Sequence, residues 1–360
     1  MNVFVHVAYG FGAENWHKKY INGQLVGCND AYAYGYYLAQ ALGCRVTYST
    51  DHSYNFLQML VRGALRLLLG FDILHAYRNR GEWKKADVIW THTESQHLSI
   101  LCLCMLFNIK RPKMICQSVW LMDEFNRLSP LHKWLYLRLL KQADVLTFLS
   151  EWNRDACRKL LPDKDVRMVH FGINPDGFGV LNSGVPAKER RKIMAVGNDR
   201  HRDWNALIAQ FSNTDFDVRI VSTRVSKRDL PSNINISPVS RQADLIEAYM
   251  EADIAIVPLK HNLHASGITA IFEANLFEKP LIVTDIGGID GYFSNDEVYF
   301  AEHASNTSLY DSAVHIRQNR DEATGKAKRA AQRTRADYSS QAYVAAHVAL
   351  SHELLNKNRL

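Results

Sequence analysis

The stretch Ala252-Asp253-Ile254-Ala255-Ile256-Val257-Pro258, then Ser266-Gly267-Ile268-Thr269-Ala270-Ile271-Phe272-Glu273-Ala274-Asn275-Leu276, then Lys279-Pro280-Leu281-Ile282-Val283-Thr284, decides the fold. It reads as a strand, a loop of small residues, a helix and a second strand. Short unbroken runs of Ile, Val and Ala are what strands buried on both faces require. The helix opens at a crevice, where its free N–H groups and dipole suit a diphosphate. Glu273 lies well inside that helix, and its carboxylate can accept hydrogen bonds from two vicinal hydroxyls. Each such bond to a charged group is worth roughly 1.5–3 kcal/mol, enough to anchor a ribose.

The same alternation extends in both directions. Upstream, Val3–Val7, Arg45–Tyr48, Val88–His92, Met114–Gln117 and Val145–Leu149 read as strands, with helices at 30–42, 56–71, 131–142 and 151–161. Residues 172–185, rich in Gly and Pro, read as a linker, after which strands at 193–196, 217–221, 254–257 and 281–284 alternate with helices. Strands alternating with helices make parallel sheets. The expected class is therefore α/β, with two Rossmann-like domains facing across a deep cleft and ligand held at the carboxyl ends of the strands. The expected bounds are 1–171 for the N-terminal domain, 172–190 for the linker, and 191–335 for the C-terminal domain. A helix over 336–360 can cross back to the N-terminal domain.

Composition narrows the function. The chain has 360 residues, 43 Lys+Arg and 37 Asp+Glu. Residues 1–165 hold 20 basic and 14 acidic residues, whereas the rest balance at 23 each, so the whole positive excess belongs to the first half. A basic half points to an anionic partner. Nucleic acid is excluded because the cations form no RNA- or DNA-binding motif. The six cysteines (28, 44, 102, 104, 116 and 157) lack C-x-x-C spacing and read as reduced core thiols. With no basic leader before the strand at Met1–Val7, the expected location is cytoplasmic and peripheral to a membrane. No acidic or histidine cluster reads as a metal centre, so no metal and no cofactor are expected. His6 and His170 read as packing histidines.

Several segments together resemble the retaining GT-B glycosyltransferases that carry a Glu-seven residues-Glu signature. They are Ala143-Asp144-Val145 to Ser150, His170-Phe171-Gly172-Ile173-Asn174, Ala195-Val196-Gly197, and Glu273-Ala274 with Lys279-Pro280. The resemblance implies that Glu273 binds the ribose of a nucleoside diphosphate sugar. It also implies a cationic pair after the first C-terminal strand, here Arg202 and Arg200 in Gly197-Asn198-Asp199-Arg200-His201-Arg202. A guanidinium fork suits two phosphate oxygens. Gly197, Gly267, Ile268 and Thr269 are expected to supply backbone contacts to the donor, and Gly12, in the turn after the first strand, to touch donor or acceptor. The sequence departs from the family in four places, one of them Glu278 where a glycine precedes Lys-Pro. Ala265 stands where the first glutamate belongs, leaving His264 or Asn262 as substitutes. Asp203-Trp204 replaces Lys-Gly, and Gln117-Ser118 replaces the histidine after the fourth strand.

On the acceptor side, His92 and Glu94 end one strand, and Asp123 follows another. A retaining enzyme needs no protein nucleophile, whereas an inverting one needs a carboxylate base, for which Asp123 is the candidate. The apolar helix 56–71 is about 24 Å long, too short to span a bilayer but suited to lying on one. It carries Arg62 and Arg66. Helix 131–142 adds Lys133, Trp134 and Arg138, a mixture suited to headgroup depth. The resulting expectation is hexose transfer to a saccharide or lipid-linked saccharide at an anionic inner-membrane surface, in surface polysaccharide assembly. The alternatives are an inverting transferase, an epimerase on the same fold, and a non-catalytic nucleotide-sugar-binding protein.

Overall fold

The computed structural model describes residues 1–27, 30–178, 191–226 and 230–357. The chain divides into two units. One comprises Met1–Ile21, Asp30–His170 and Ser340–Leu360, and the other Asn22–Asn29 and Phe171–Ser339.

The first unit is built on six parallel strands in the order β2-β1-β3-β4-β5-β6. In chain order its elements are β1 (Asn2–His6), α1 (Ala13–Ile21), a 3-10 segment (Ala33–Leu42), β2 (Arg45–Tyr48) and α2 (Phe56–Leu69). Next come α3 (Ile73–Arg78), α4 (Arg80–Trp83), β3 (Val88–Thr91), α5 (Glu94–Phe107), β4 (Lys113–Gln117) and α6 (Leu121–Glu124). The unit continues with α7 (Pro130–Leu140), β5 (Val145–Phe148), α8 (Glu151–Leu160) and β6 (Val166–Met168). Every residue of β3 and β5 is buried, as their Val/Ile/Leu content dictates. The C-terminal helix Ser340–Asn356 packs back on this unit. Tyr343 Oη donates to Gln117 Oε1 (2.6 Å), Trp90 Nε1 to Ser351 Oγ (2.9 Å), and Arg167 grips both Glu353 oxygens at 2.6 Å.

The second unit has six parallel strands in the order β12-β11-β10-β7-β8-β9. They are β7 (Lys192–Val196), β8 (Asp217–Val221), β9 (Ile234–Ile236), β10 (Ile254–Val257), β11 (Leu281–Thr284) and β12 (Tyr299–Ala301). The helices are α9 (Trp204–Phe211), α10 (Gln242–Glu251), α11 (Ile268–Leu276), α12 (Ser308–Gln318) and α13 (Arg320–Asp337). Its core packs Ile193, Leu207, Phe211, Phe216, Ile220 and Ile256 around the sheet. In each sheet the strand order reverses once, between β1 and β3 and between β7 and β10. Crevices at such reversals, outside the carboxyl ends of the strands, are where open α/β sheets hold ligands.

Two expectations change. The helix expected over 30–42 is a 3-10 segment kinked at Tyr34 and Gly35, whose φ values of 57° and 70° are left-handed and break the α pattern. Residues 22–27 belong with the second unit rather than the first, because Gln242 bridges to them: its N–H donates to Gly23 O (2.9 Å) and its Oε1 accepts from Gly27 N (3.0 Å). Of the expected linker, 179–190 lies outside the described residues.

Candidate functional site

The carboxyl ends of β7 and β8 and the residues after β9 meet the first turn of α11 around a cavity of about 300 Å³. Gly197, Asp199, Arg202, Gly267, Thr269 and Glu273 line it, and Val26 and Gly27 close one side. This is the strand-order reversal of the second sheet, and the volume sits at the lower end for small-molecule pockets.

Arg202 is the central cation. It is buried, and its guanidinium is aimed by Nε donating to Val196 O (3.2 Å) and Nη1 donating to Ser266 Oγ (3.0 Å). Two glycines make room for it. Gly197 (φ 148°) and Gly267 (φ 90°) both have left-handed backbones, and a Cβ on them would lie 2.4 Å from Nε and 2.8 Å from Nη1. No larger residue satisfies both demands. Gly267 is also the N-cap of α11, so the helix N-terminus and the Arg202 charge share one corner, although the Ile268 amide already donates to Ala265 O (3.2 Å).

Glu273 lies one and a half turns into α11 and is only 3% exposed. Tyr249 Oη, from α10, donates to its Oε2 at 2.9 Å. Burial pushes the Glu273 carboxyl up to about 8, while the Tyr249 bond and the Arg202 charge pull the other way. The carboxyl is thus desolvated, and among the described residues its hydrogen bond comes from Tyr249, a state in which hydroxyl donors gain most.

Beside Arg202 stands a polar trio. Asp199 Oδ1 accepts from the His201 amide (2.7 Å) and meets His201 Nδ1 (3.1 Å), and its Oδ2 meets His264 Nε2 (3.3 Å). Burial pushes the Asp199 carboxyl up, but these histidine contacts and Arg202 outweigh it and hold it well below the usual carboxylate range. The sequence reading expects no metal, yet here one donor atom from each of Asp199, His201 and His264 lies within 4.8 Å of the others. Such a set can hold a divalent cation. Without one, His201 Nδ1 and His264 Nε2 each face an Asp199 oxygen.

Of the donor residues read from sequence, Glu273, Arg202, Gly197, Gly267 and Thr269 line this one cavity. Arg200 is exposed and stays out of its lining, while His264 acts through Asp199 at the cavity's edge. Ile268 is buried at the start of α11. Ala265, eight residues before Glu273, is buried with φ 55° and its amide bonded to Gly287 O (3.0 Å), so that position is a tight turn. Gly12 belongs to the first unit, where Asp51 accepts from its amide (3.0 Å) and from that of Gly10 (2.9 Å). Sequence reasoning assigns no role to Tyr249, Ser266 or the Val26–Gly27 segment. The signal for Ser266 was its place directly before the helix-opening glycine.

The acceptor candidates divide differently. His92 is buried, its Nδ1 meeting Tyr36 Oη (3.1 Å), Gln117 Nε2 (3.2 Å) and Tyr343 Oη (3.4 Å). Burial, with His347 nearby, holds its imidazole well below the usual histidine range, so it is neutral. Glu94 starts α5 and braces the next loop, accepting from the amides of Val119 (2.9 Å) and Trp120 (3.4 Å). Asp123 is half-buried on the short α6. None of the three lines the cavity around Glu273 and Arg202.

The basic stripe of α2 also splits. Arg62 turns inward, bonding Asp72 through Nε (2.7 Å) and Nη2 (2.5 Å), whereas Arg66 is exposed. No residue of α2 is buried, and Phe56, Leu57, Leu60, Leu67 and Leu68 are all more than half exposed. Trp134 (57% exposed) lies on α7 under Arg138, whose guanidinium is 5.8 Å from the ring centre, and Lys133 Nζ donates to Asn126 O (3.0 Å). No helix among the described residues is long and apolar enough to cross a membrane.

Solved structures match the whole chain at low identity. A sucrose-phosphate synthase from Thermosynechococcus elongatus is 14% identical with a TM-score of 0.74, over 99% of this chain and 100% of that one. HepE of Anabaena, solved with UDP and glucose, is 12% identical with a TM-score of 0.65, over 98% and 99%. A glycosyltransferase from Rickettsia africae is 16% identical with a TM-score of 0.60, over 98% of each chain. No protein-family profile and no curated protein sequence matches. The likeness shows the fold, the two-sheet α/β architecture of GT-B glycosyltransferases.

Proposed function

We propose that the protein is a glycosyltransferase that moves a hexose from a nucleoside diphosphate sugar to a hydroxyl of a saccharide acceptor. The observation that carries the reading is the convergence of Glu273, Arg202 and the α11 N-terminus on one cavity at the second sheet's reversal point. HepE, a structural neighbour, was solved with UDP-glucose as well as with UDP, which supports a nucleotide sugar as the donor. In this reading Glu273 receives the two ribose hydroxyls. Arg202 and the amides after Gly267 receive the diphosphate. As the glycosidic bond lengthens, negative charge grows on the leaving diphosphate, where a fixed, desolvated guanidinium and helix terminus are worth most. The loss of one such donor typically costs about 2.7–4 kcal/mol of barrier lowering.

Retention of anomeric configuration follows if the departing phosphate oxygen takes the acceptor proton on the same face, with no protein nucleophile. Arg202 and α11 supply the positive charge, and the reading calls for no resident metal. The acceptor is a lipid-linked saccharide of surface polysaccharide assembly, reached from the cytoplasmic side. The first unit rests on an anionic inner-membrane surface through the bare apolar face of α2 and through Arg66, Lys133, Trp134 and Arg138. Each basic residue near such a leaflet contributes about 1 kcal/mol.

The test is turnover. Incubated with UDP-, GDP- or ADP-sugars, the protein should release nucleoside diphosphate, and proton NMR of the first product should show the donor's anomeric configuration. A second reading, a non-catalytic nucleotide-sugar-binding protein, is favoured by Ala265 in place of the family's donor-contacting glutamate. Tight binding with no release of sugar over hours would establish it instead.

A further inference from the structure

The reversal point of the first sheet, between β1 and β3, holds a separate cavity of about 70 Å³ that the donor reading leaves unused. That is room for about five waters at the ~15 Å³ each requires. Its wall comes from the end of β1 and the residues after it, from the first turns of α5, and from α2.

Three features there point to an anion. His6 is 1% exposed and lines the cavity, and its Nδ1 has no hydrogen-bond partner among the described residues. A buried, unmatched ring nitrogen costs stability unless something completes it. Its neighbour His75, stacked on it at 5.0 Å, is already committed, with Nε2 meeting Val7 O at 3.2 Å. Next, α2 delivers two arginines to the wall. Arg62 is neutralised by Asp72 and lies over the Tyr9 ring at 4.1 Å. Arg66, one turn on, has no ion-pair partner among the described residues, so its charge is the cavity's surplus. Finally, Ser95 and Gln96 belong to the first turn of the 14-residue α5, whose dipole adds positive potential. The nearby acids are occupied. Asp51 is held by the Gly10 and Gly12 amides and Asn15, and Glu94 by the Val119 and Trp120 amides.

We propose that this cavity seats a phosphate group carried by the acceptor, bound between Arg66, His6 Nδ1 and the α5 N-terminus. The inference rests on the transferase reading and narrows its acceptor to a phosphorylated one. Two sources share that chemistry, a soluble sugar phosphate and a membrane-borne phosphate. The outward face of α2, with Phe56, Leu60 and Leu67 exposed, is suited to the second.

The test uses the full chain labelled with ¹⁵N-histidine and follows the His6 ring nitrogens by NMR. One arm titrates inorganic phosphate and a hexose phosphate. The other titrates vesicles of phosphatidylcholine with or without phosphatidylglycerol. The expected result is a saturable shift of the His6 Nδ1 signal in one or both arms, weakened about tenfold or more in Arg66→Gln. Response in the soluble arm alone assigns a soluble sugar phosphate, and response to phosphatidylglycerol vesicles assigns a lipid-borne one. An unmoved His6 signal in both arms, or an identical response in Arg66→Gln, overturns the proposal. Arg66 is exposed, so the variant should fold like the wild type, which thermal melting confirms. UDP binding measured on the same samples reports the donor site separately, so failure of either idea is visible without the other.

Discussion

Glu273→Gln replaces a buried carboxyl with a neutral group of the same size, and the structure says what that should do to nucleotide binding. With burial holding the group at about 8, roughly one-tenth of the unliganded protein carries the carboxylate at pH 7 and roughly nine-tenths at pH 9. Ribose hydroxyls donate, so they select the ionised form. The groups facing Glu273 are Tyr249 from α10 and Arg202, and neither changes charge in this window. The nucleotide's terminal phosphate, with a pKa of about 6, is already mostly ionised there. Affinity of the wild type for UDP should therefore rise about tenfold from pH 7 to pH 9, or about 1.4 kcal/mol. At pH 7 binding should release nearly one proton, read by calorimetry as a heat that depends on the buffer's ionisation enthalpy. Glu273→Gln should bind about 10–100-fold more weakly at pH 9, with a flat profile and no proton release. Parallel profiles for the two proteins would refute the reasoning, because Glu273 would then not be the group that meets the nucleotide.

The same acid makes no favourable contribution to folding above its unfolded range. Its raised value means that stability is lost as pH climbs from about 4.5 to 8, and wild type should lose about 3–4 kcal/mol relative to Glu273→Gln between pH 5 and 8 in denaturant unfolding of the second unit. Gly267→Ala forces a left-handed residue against Arg202 and should cost roughly 1–3 kcal/mol of stability while weakening UDP binding. Arg62→Gln strands Asp72 and should destabilise by up to about 3–5 kcal/mol in urea melts, whereas Arg66→Gln should stay within about 0.5. The double change Leu60→Glu and Leu67→Glu should abolish co-sedimentation with phosphatidylglycerol vesicles, since each leucine is worth about 1.5–3 kcal/mol of burial. Retained co-sedimentation would remove α2 from the membrane reading.

Much of the fold is legible in single stretches, because β10 (Ile-Ala-Ile-Val) and β11 (Leu-Ile-Val-Thr) are short, fully buried runs of the kind a doubly covered sheet requires. Glu273 and Arg202 are singled out by the resemblance, which implies a ribose-binding carboxylate inside α11 and a cationic pair after β7. What escaped depends on contacts remote in sequence. Tyr249 reaches Glu273 across 24 positions, and Arg62 meets Asp72 ten residues on rather than at helical spacing. His92 looks like a strand-end catalyst in isolation, but its ring nitrogen is occupied by side chains from Tyr36, Gln117 and Tyr343. The break at Tyr34 has no local signature beyond Gly35, and nothing near residues 22–27 announces that Gln242 will hold them.

A crystal of the full chain grown with UDP tests the central claim most directly. The ribose hydroxyls should lie within hydrogen-bond distance of the Glu273 carboxylate, with the diphosphate against Arg202 and the amides that follow Gly267. Well-defined UDP bound elsewhere, with that corner of the second unit left to solvent, would contradict the account.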